Sequence, residues 1–412
     1  MDSVERHPAG LREATALLVG SRLALLVLAL FALRYFPINA YNRDHNSAYA
    51  IPLAAGDRWR EPAVAPDQAP PPVSAHAEPS WIAVWARWDA LWYVRIAEVG
   101  YAERFGVDDL PGTHGEPPAT GFYPLMSLLM RALAPLVGSP LRAGLVIANV
   151  ALAFAVVLLF RLTHRLAGAD AASIAVTLLL VFPPGFFLSA PYADSLGLAL
   201  SLASLSAALR GSPAVAGIFG FLSALSRPMG VLLAPALAIQ WWQSRRADPS
   251  RRSWLGAAAS LLPVAGLAAF LLYCKVFFGD PWAPFHRQET WRGPMTWPPA
   301  IFHELAGGHF ALLAPRHSVV ELVAAVLFLV LGALAFRYLP LSVAAYGLGA
   351  TLLPLATSLF SFSRLALAAF PAFMTAGVLL SRRPALARGL VAFFGVLLGV
   401  FALFYFSWNW IG

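Results

Sequence analysis

Cysteine is almost missing from this chain: Cys274 is the only one in 412 residues, so an internal disulfide and a thiolate metal cage are both excluded. Charge is scarce as well, at 12% of residues, and every one of the 29 basic residues except Lys275 is an arginine. No phosphate-cradling glycine-rich loop and no Gly-x-Ser-x-Gly elbow occurs. The histidines do not make a zinc helix either, because His303-Glu304-Leu305-Ala306-Gly307-Gly308-His309 lacks a second histidine four places on, and no metal site is expected.

What the chain has instead is apolar length. Hydrophobic residues make up 59% of it and the mean hydropathy is +0.67, values that belong to a polytopic membrane protein rather than a soluble domain. The net charge of +8 does not point to nucleic acid, since the arginines cluster in short loops between apolar runs, where membrane topology accounts for them. The first apolar run, about residues 14 to 36, is long enough to span and lacks a small-residue cleavage site, so it reads as an anchor and not a cleaved signal. Further runs near 142 to 162, 171 to 190, 193 to 209, 213 to 226, 228 to 243, 254 to 277, 319 to 336, 339 to 359, 365 to 381 and 388 to 408 bring the expectation to about eleven spans. The expected fold is all-α, with residues 1 to 412 as one membrane domain.

Two long polar loops interrupt it, 37 to 120 and 278 to 318. Within the first, Glu61 to Ser80 carries six prolines and no large apolar residue, the composition of a disordered or polyproline insert. Gly121-Phe122-Tyr123-Pro124-Leu125 reads as an interfacial or re-entrant start. Arg161, Arg165, Arg210, Arg245, Arg246, Arg251, Arg252, Arg337, Arg382, Arg383 and Arg388 fall at alternate junctions, which the positive-inside rule assigns to the cytoplasm. The opposite junctions then face outward, and they hold every polar signature of interest.

The most distinctive of these is Trp88-Asp89-Ala90-Leu91-Trp92-Tyr93-Val94-Arg95-Ile96-Ala97-Glu98-Val99-Gly100-Tyr101. At helical period Trp85, Trp88, Trp92, Ile96 and Val99 form an apolar stripe, with Asp89 beside it on the edge of Tyr93, as in a helix lying in the membrane interface. Asp89 and Glu98 are half a rotation apart and do not make a carboxylate pair, so an acid doing chemistry here acts alone. Asp194, Arg227 and Arg364 sit at the ends of apolar spans on the same side, where ionisable groups are costly unless paired or functional. A structural ion pair between Asp194 and Arg227 and a phosphate-binding role for the arginines both fit. In Phe278-Gly279-Asp280-Pro281-Trp282-Ala283-Pro284-Phe285-His286-Arg287-Gln288-Glu289-Thr290-Trp291, Gly-Asp-Pro reads as a turn, and the Trp, Gln and His either cover a sugar face or belong to an interfacial aromatic belt.

Taken together, Trp88-Asp89-x-x-Trp92-Tyr93-x-x-Ile96-Ala97-Glu98-x-Gly100-Tyr101, Phe122-Tyr123-Pro124-Leu125, Asn149, Phe182-Pro183, Ser189-Ala190-x-Tyr192-x-Asp194-Ser195-Leu196, Ser226-Arg227-Pro228-x-Gly230, Gly279-Asp280-Pro281, Gln288-x-x-Trp291 and Arg364 with Phe370-Pro371 resemble the PIG-V-type mannosyltransferases of the GT-C class. The chain departs from that pattern at Asp194, where the family usually has Glu, at Met126-Ser127 and at Ser363-Arg364-Leu365. The resemblance implies a GT-C-like fold and an integral membrane enzyme with its site outward, and the Arg-rich composition and compact chain point to a bacterial cell membrane. It implies transfer of mannose, with inversion, from polyprenyl-phosphate mannose to a hydroxyl of a glycolipid, glycan or protein. Asp89 is then the general base, Arg227 and Arg364 hold the donor phosphate, and Trp88, Trp92, Tyr93, Tyr123, Tyr192, Asp194, His286, Gln288 and Trp291 line the substrates. No cofactor is implied. A transferase of the same class for another polyprenyl-phosphate sugar remains open, as does a transporter or flippase of lipid-linked substrates, although the hydropathy shows no internal repeat of spans.

Overall fold

The computed structural model describes residues 2–37, 39, 51, 74–101, 118–247, 254–295, 302, 305–308, 310–313, 318–409 and 411, with side chains from residue 10 onward. Most of the proline-rich insert, the loop at 102–117, Arg251, Arg252, His303, His309 and His317 lie outside the described residues.

The described residues are helical and contain no strand, only an isolated bridge between Ala311 and Ser318. In chain order the helices are α1 (Asp2–Tyr35), α2 (Ser80–Ala83), α3 (Asp89–Val99), α4 (Pro124–Val137), α5 (Pro140–Ala167), α6 (Ala169–Val181), α7 (Asp194–Leu209) and α8 (Pro213–Ser226). They continue as α9 (Leu233–Ala247), α10 (Trp254–Phe278), α11 (Ala283–Arg292), α12 (Val319–Tyr338), α13 (Leu341–Leu355), α14 (Phe362–Leu365), α15 (Phe370–Leu380) and α16 (Pro384–Phe406). Five described helices, Gly10–Tyr35 within α1, α5, α10, α12 and α16, are long and apolar enough to cross a membrane alone. The segment Phe362–Ala368 and α15, bent by 83° at their break, reach that length and apolarity only when taken together, while α4, α6, α7, α8 and α13 are shorter apolar helices. A helix of 13 residues rises about 20 Å, short of a hydrocarbon core of roughly 30 Å, so these elements need irregular backbone to complete their passage.

That irregular backbone is gathered at one end of the bundle. The 3₁₀ segment Pro183–Leu188 follows α6, Pro228–Leu232 follows α8, and Ala366–Ala368 joins α14 to α15. Non-helical chain at such depth survives only where protein buries it or a cavity receives it, and Pro183 to Leu188 are all buried.

The helices pack in the chain's own order, α4 on α5, α5 on α6 and α7, α7 on α8, and α8 on α10, with α12 and α6 both against α15. Small residues set the closest approach, as expected where lipid offers no hydrophobic drive for association. At the α8–α10 crossing a Cβ on Gly266 would collide with the carbonyl oxygen of Phe221. Because the helices of the first 100 residues pack on those of the last 30, with α1 against α16 and the Tyr405 hydroxyl donating to the Trp85 carbonyl at 2.8 Å, one main core joins most of the described helices, with a small separate cluster at Ala207, Ala216 and Leu237.

Two local expectations change. Trp85 does not share a helix with Trp88 and Trp92, because α2 ends at Ala83 and α3 begins only at Asp89. Trp88, at φ 51° and ψ −119°, breaks the helical path between them. The run at 228 to 243 is likewise a 3₁₀ turn followed by a helix starting at Leu233, since Arg227 precedes a proline and is held extended at φ −156° and ψ 150°.

Candidate active site

At the end of the bundle where the helices break, a cavity of about 510 Å³ opens. Its polar wall is built from three separate elements. Asp89 is the first residue of α3, Arg227 is the extended residue between α8 and its following 3₁₀ turn, and Arg364 lies on α14.

The four ionised groups form one chain. Arg364 Nη1 lies 2.7 Å from Asp89 Oδ2, its Nη2 donates to Asp194 Oδ2 at 3.1 Å, and Arg227 Nη1 donates to the other oxygen of Asp194. The Asp194 side chain is 1% exposed and does not line the cavity, whereas that of Asp89 is 27% exposed and does. Two carboxylates and two guanidinium groups balance in charge, so the cluster is tolerable in a poorly solvated place only as long as it stays complete.

Each member is set by local chain chemistry. Asp194 occupies the first turn of α7, where the helix dipole favours an acid. Arg227 crosses that turn over Gly197, on which a Cβ would crowd the arginine Cδ at 3.2 Å. The Ser-Arg-Pro-x-Gly turn closes because the Gly230 amide donates to the Arg227 carbonyl at 3.0 Å, and a Cβ on Gly230 would strike the backbone of Ser223 and Ala224. Arg364 packs on two buried rings, with Cζ 4.4 Å from the centre of Tyr192 and 4.8 Å from that of Phe187.

Sequence reasoning passed over two supports of this wall. Glu321, in the first turn of α12, accepts from the Ser363 amide at 2.5 Å and hydroxyl at 2.8 Å, which fixes the short helix carrying Arg364. An acid inside an apolar run is the signal that could have flagged it. Arg292 of α11 donates to the carbonyls of Pro354 and Ser358, both at 3.0 Å, and of Phe360, tying the end of α13 to the cavity rim. Its sequence position in a polar loop gave no such hint.

The facing wall is aromatic. Trp92 stacks on Phe122 with ring centres 5.5 Å apart, Trp291 lies 5.4 Å from Phe122, and Arg287 sits 4.8 Å above Trp291. Gln288 donates to the Gly121 carbonyl at 3.0 Å, and a Cβ on Gly121 would press on Trp291 at 3.0 Å, so the glycine lets α11 close against the preceding loop. Trp88, Tyr93 and Tyr123 complete the lining. Burial pushes the Tyr93 and Tyr123 phenols above their ordinary range, so both stay protonated, and the Tyr123 hydroxyl has no hydrogen-bond partner among the described residues. Leu353, Pro354, Met229, Met295 and Leu365 form an apolar flank.

Three residues expected at the substrate stand elsewhere. Asp194 is behind the wall, holding both arginines. Tyr192 is fully buried beneath Arg364 and donates its hydroxyl to the Arg87 carbonyl at 2.7 Å. His286 faces away, because Phe285, Gln288 and Arg292 make up the cavity stripe of α11 at i, i+3 and i+7 while residue 286 lies about 100° round the helix. Its Nδ1 is instead 2.8 Å from Asp280, whose other oxygen accepts from the Trp282 amide in the Gly-Asp-Pro turn. Glu98, half a rotation from Asp89 on α3, accepts from Ser74 and from the Ala75 amide and contacts His76, well away from the cluster. Among the described residues no three His, Cys, Asp or Glu side chains converge as metal ligands.

No family model and no curated protein sequence matches the chain. Solved structures similar to it include ArnT from Cupriavidus metallidurans bound to undecaprenyl phosphate, at 14% identity and a TM-score of 0.49, and the same protein in the apo state, at 15% and 0.42. The apo oligosaccharyltransferase of Archaeoglobus fulgidus is similar at 16% identity and a TM-score of 0.45. These likenesses cover 91 to 92% of this chain but only 62%, 62% and 56% of the respective structures. Resemblance this distant decides nothing about the chain's chemistry, and the all-helical membrane architecture rests on its own helices.

Proposed function

We propose that the protein is an inverting, membrane-embedded mannosyltransferase that uses polyprenyl-phosphate mannose and works on the outward side of the membrane. The observation that carries this reading is the placing of one partly exposed carboxylate, Asp89, and two guanidinium groups, Arg227 and Arg364, on the wall of a single cavity whose other sides are aromatic and apolar.

The donor's anionic phosphodiester meets the two arginines, whose forked donors match its oxygens and remain charged. Its prenyl chain leaves along the apolar flank of Leu353, Leu365 and Met229. The sugar ring lies against Trp92, Phe122 and Trp291. Asp89 accepts the proton of the acceptor hydroxyl as that oxygen bonds to mannose C1, and the C1–O bond to phosphate breaks with its electron pair, leaving polyprenyl phosphate. One base suffices because a single displacement with inversion passes through no covalent sugar–enzyme intermediate. The departing anion needs cations more than an acid, and Arg227 and Arg364 supply them. Arg364 then has two partners to exchange: before donor binds it neutralises Asp89, and when phosphate takes that guanidinium the carboxylate is released toward the acceptor.

The test is Asp89→Asn in purified protein with polyprenyl-phosphate mannose. Donor binding is expected to persist while transfer falls by roughly 10²–10⁴-fold, the usual worth of a general base. Near-normal turnover by that variant refutes the mechanism. Parallel incubation with other labelled polyprenyl-phosphate sugars reads out the sugar, and transfer of one of those in place of mannose refutes the specificity alone.

A further inference from the structure

A second cavity, about 490 Å³, opens toward the opposite end of the bundle and shares no lining residue with the cavity around Asp89. It is a slot between α6, α12, α15 and α16. Its floor is a set of four phenylalanines: Phe182 has ring centres 5.6 Å from Phe328, 5.5 Å from Phe373 and 5.6 Å from Phe394. From that floor it runs beside α15 from Ala372 to Leu380, a rise of about 12 Å, and reaches Arg382 and Arg383 in the turn before α16. Both arginines are exposed, and neither forms an ion pair with a described residue.

Lipid chains surround such a slot in any membrane. What singles this one out is its mouth. Two uncompensated guanidinium groups stand at the edge of an otherwise apolar channel, at the end where Arg165, Arg210, Arg246 and Arg337 also terminate or follow their helices. The positive-inside rule assigns that end to the leaflet whose surface carries anionic lipid. A zwitterionic headgroup brings a cation that these arginines repel, whereas a lipid of net negative charge offers a phosphate to the fork and a chain to the slot.

We infer that the slot between α6, α12, α15 and α16 binds one anionic phospholipid, with an acyl chain laid against the phenylalanine floor and the headgroup phosphate held by Arg382 and Arg383. The occupant is a bilayer lipid and not the sugar donor, so this site and the proposed transferase reaction stand or fall separately.

Native mass spectrometry of the full chain in detergent tests it, with phosphatidylglycerol, phosphatidylcholine of matched chains, and free glycerol phosphate as probes. One phosphatidylglycerol is expected to remain bound where phosphatidylcholine does not, and glycerol phosphate is expected not to compete. The double variant R382Q/R383Q is expected to bind phosphatidylglycerol roughly thirtyfold more weakly, the worth of two surface cations near an anionic headgroup. Its lipid-free melting temperature is expected to stay unchanged, since both side chains are exposed. Equal retention of the two lipids, full phosphatidylglycerol affinity in the double variant, or displacement by glycerol phosphate overturns the assignment. So does a dimer that dissociates on Leu386→Trp at the lip of the slot, which would show that a second copy fills it.

Discussion

Asp194 illustrates how a residue can matter to a site that it does not line. It is one of two carboxylates near two guanidinium groups, yet it is the buried one, and it contacts both Arg227 and Arg364. Removing it strips Arg227 of its carboxylate and leaves the cluster with one excess cation in a place that water reaches poorly. Asp194→Ala is therefore expected to lower stability by about 3–5 kcal/mol, the usual cost of breaking a buried ion pair from one side. Chemical unfolding in detergent measures it, and a loss under 1 kcal/mol shows that the arginines find other partners. Tyr123 is the reverse case. Its hydroxyl is buried without a partner among the described residues, so Tyr123→Phe is expected to leave stability equal or raised by about 1 kcal/mol, because an unsatisfied polar group is removed. If that hydroxyl meets a substrate, the same variant raises KM while the melting temperature holds, and a fall in melting temperature contradicts the burial argument.

Among the elements, the short ones carry most of the consequences. The helix α14 is only four residues long and cannot hold Arg364 in place by its own hydrogen bonds, and Glu321 of α12 does so through Ser363. Glu321→Ala is expected to reduce transfer at least tenfold through misplacement of Arg364, with Glu321→Gln retaining more activity because it still accepts from Ser363. Equal activity in both variants separates Glu321 from the site. Gly230 tests the turn that aims Arg227. Any Cβ there meets the backbone of the preceding helix, so Gly230→Ala is expected to cost about 1–3 kcal/mol by overpacking, read as a lowered melting temperature. Such elements are hard to see in a sequence. The Arg-Pro-x-Gly string advertises a turn, but Ser361, with its left-handed φ of 55°, and the Glu321–Ser363 contact have no local signature at all.

For the molecule as a whole, the question is which way the two ends face. The cavity holding Asp89 and the arginine mouth of the slot lie at opposite ends of one bundle, so a single topology assigns both. The sole native cysteine, Cys274, is buried, which makes introduced cysteines readable without removing it. Ala75→Cys, at an exposed position near Glu98, is expected to react with a membrane-impermeant maleimide in intact cells, and Arg383→Cys only after permeabilisation. The opposite pattern inverts the topology and places the proposed reaction on the cytoplasmic side.

Composition and period were enough to specify helices, their membrane setting and the arginine-bearing loops, because each of those follows from interactions between a residue and its solvent or its neighbours within a turn. The aromatic and acidic cluster of Trp88, Asp89, Trp92 and Tyr93 was legible for the same reason. Folding alone decided that Asp89 shares Arg364 with Asp194, that Tyr192 lies under the cluster, and that His286 turns away from it. Those facts depend on contacts between α3, α7, α11 and α14 and the segments beside them, residues far apart in the chain, and a charge carries no mark in the sequence of which distant charge will come to rest beside it.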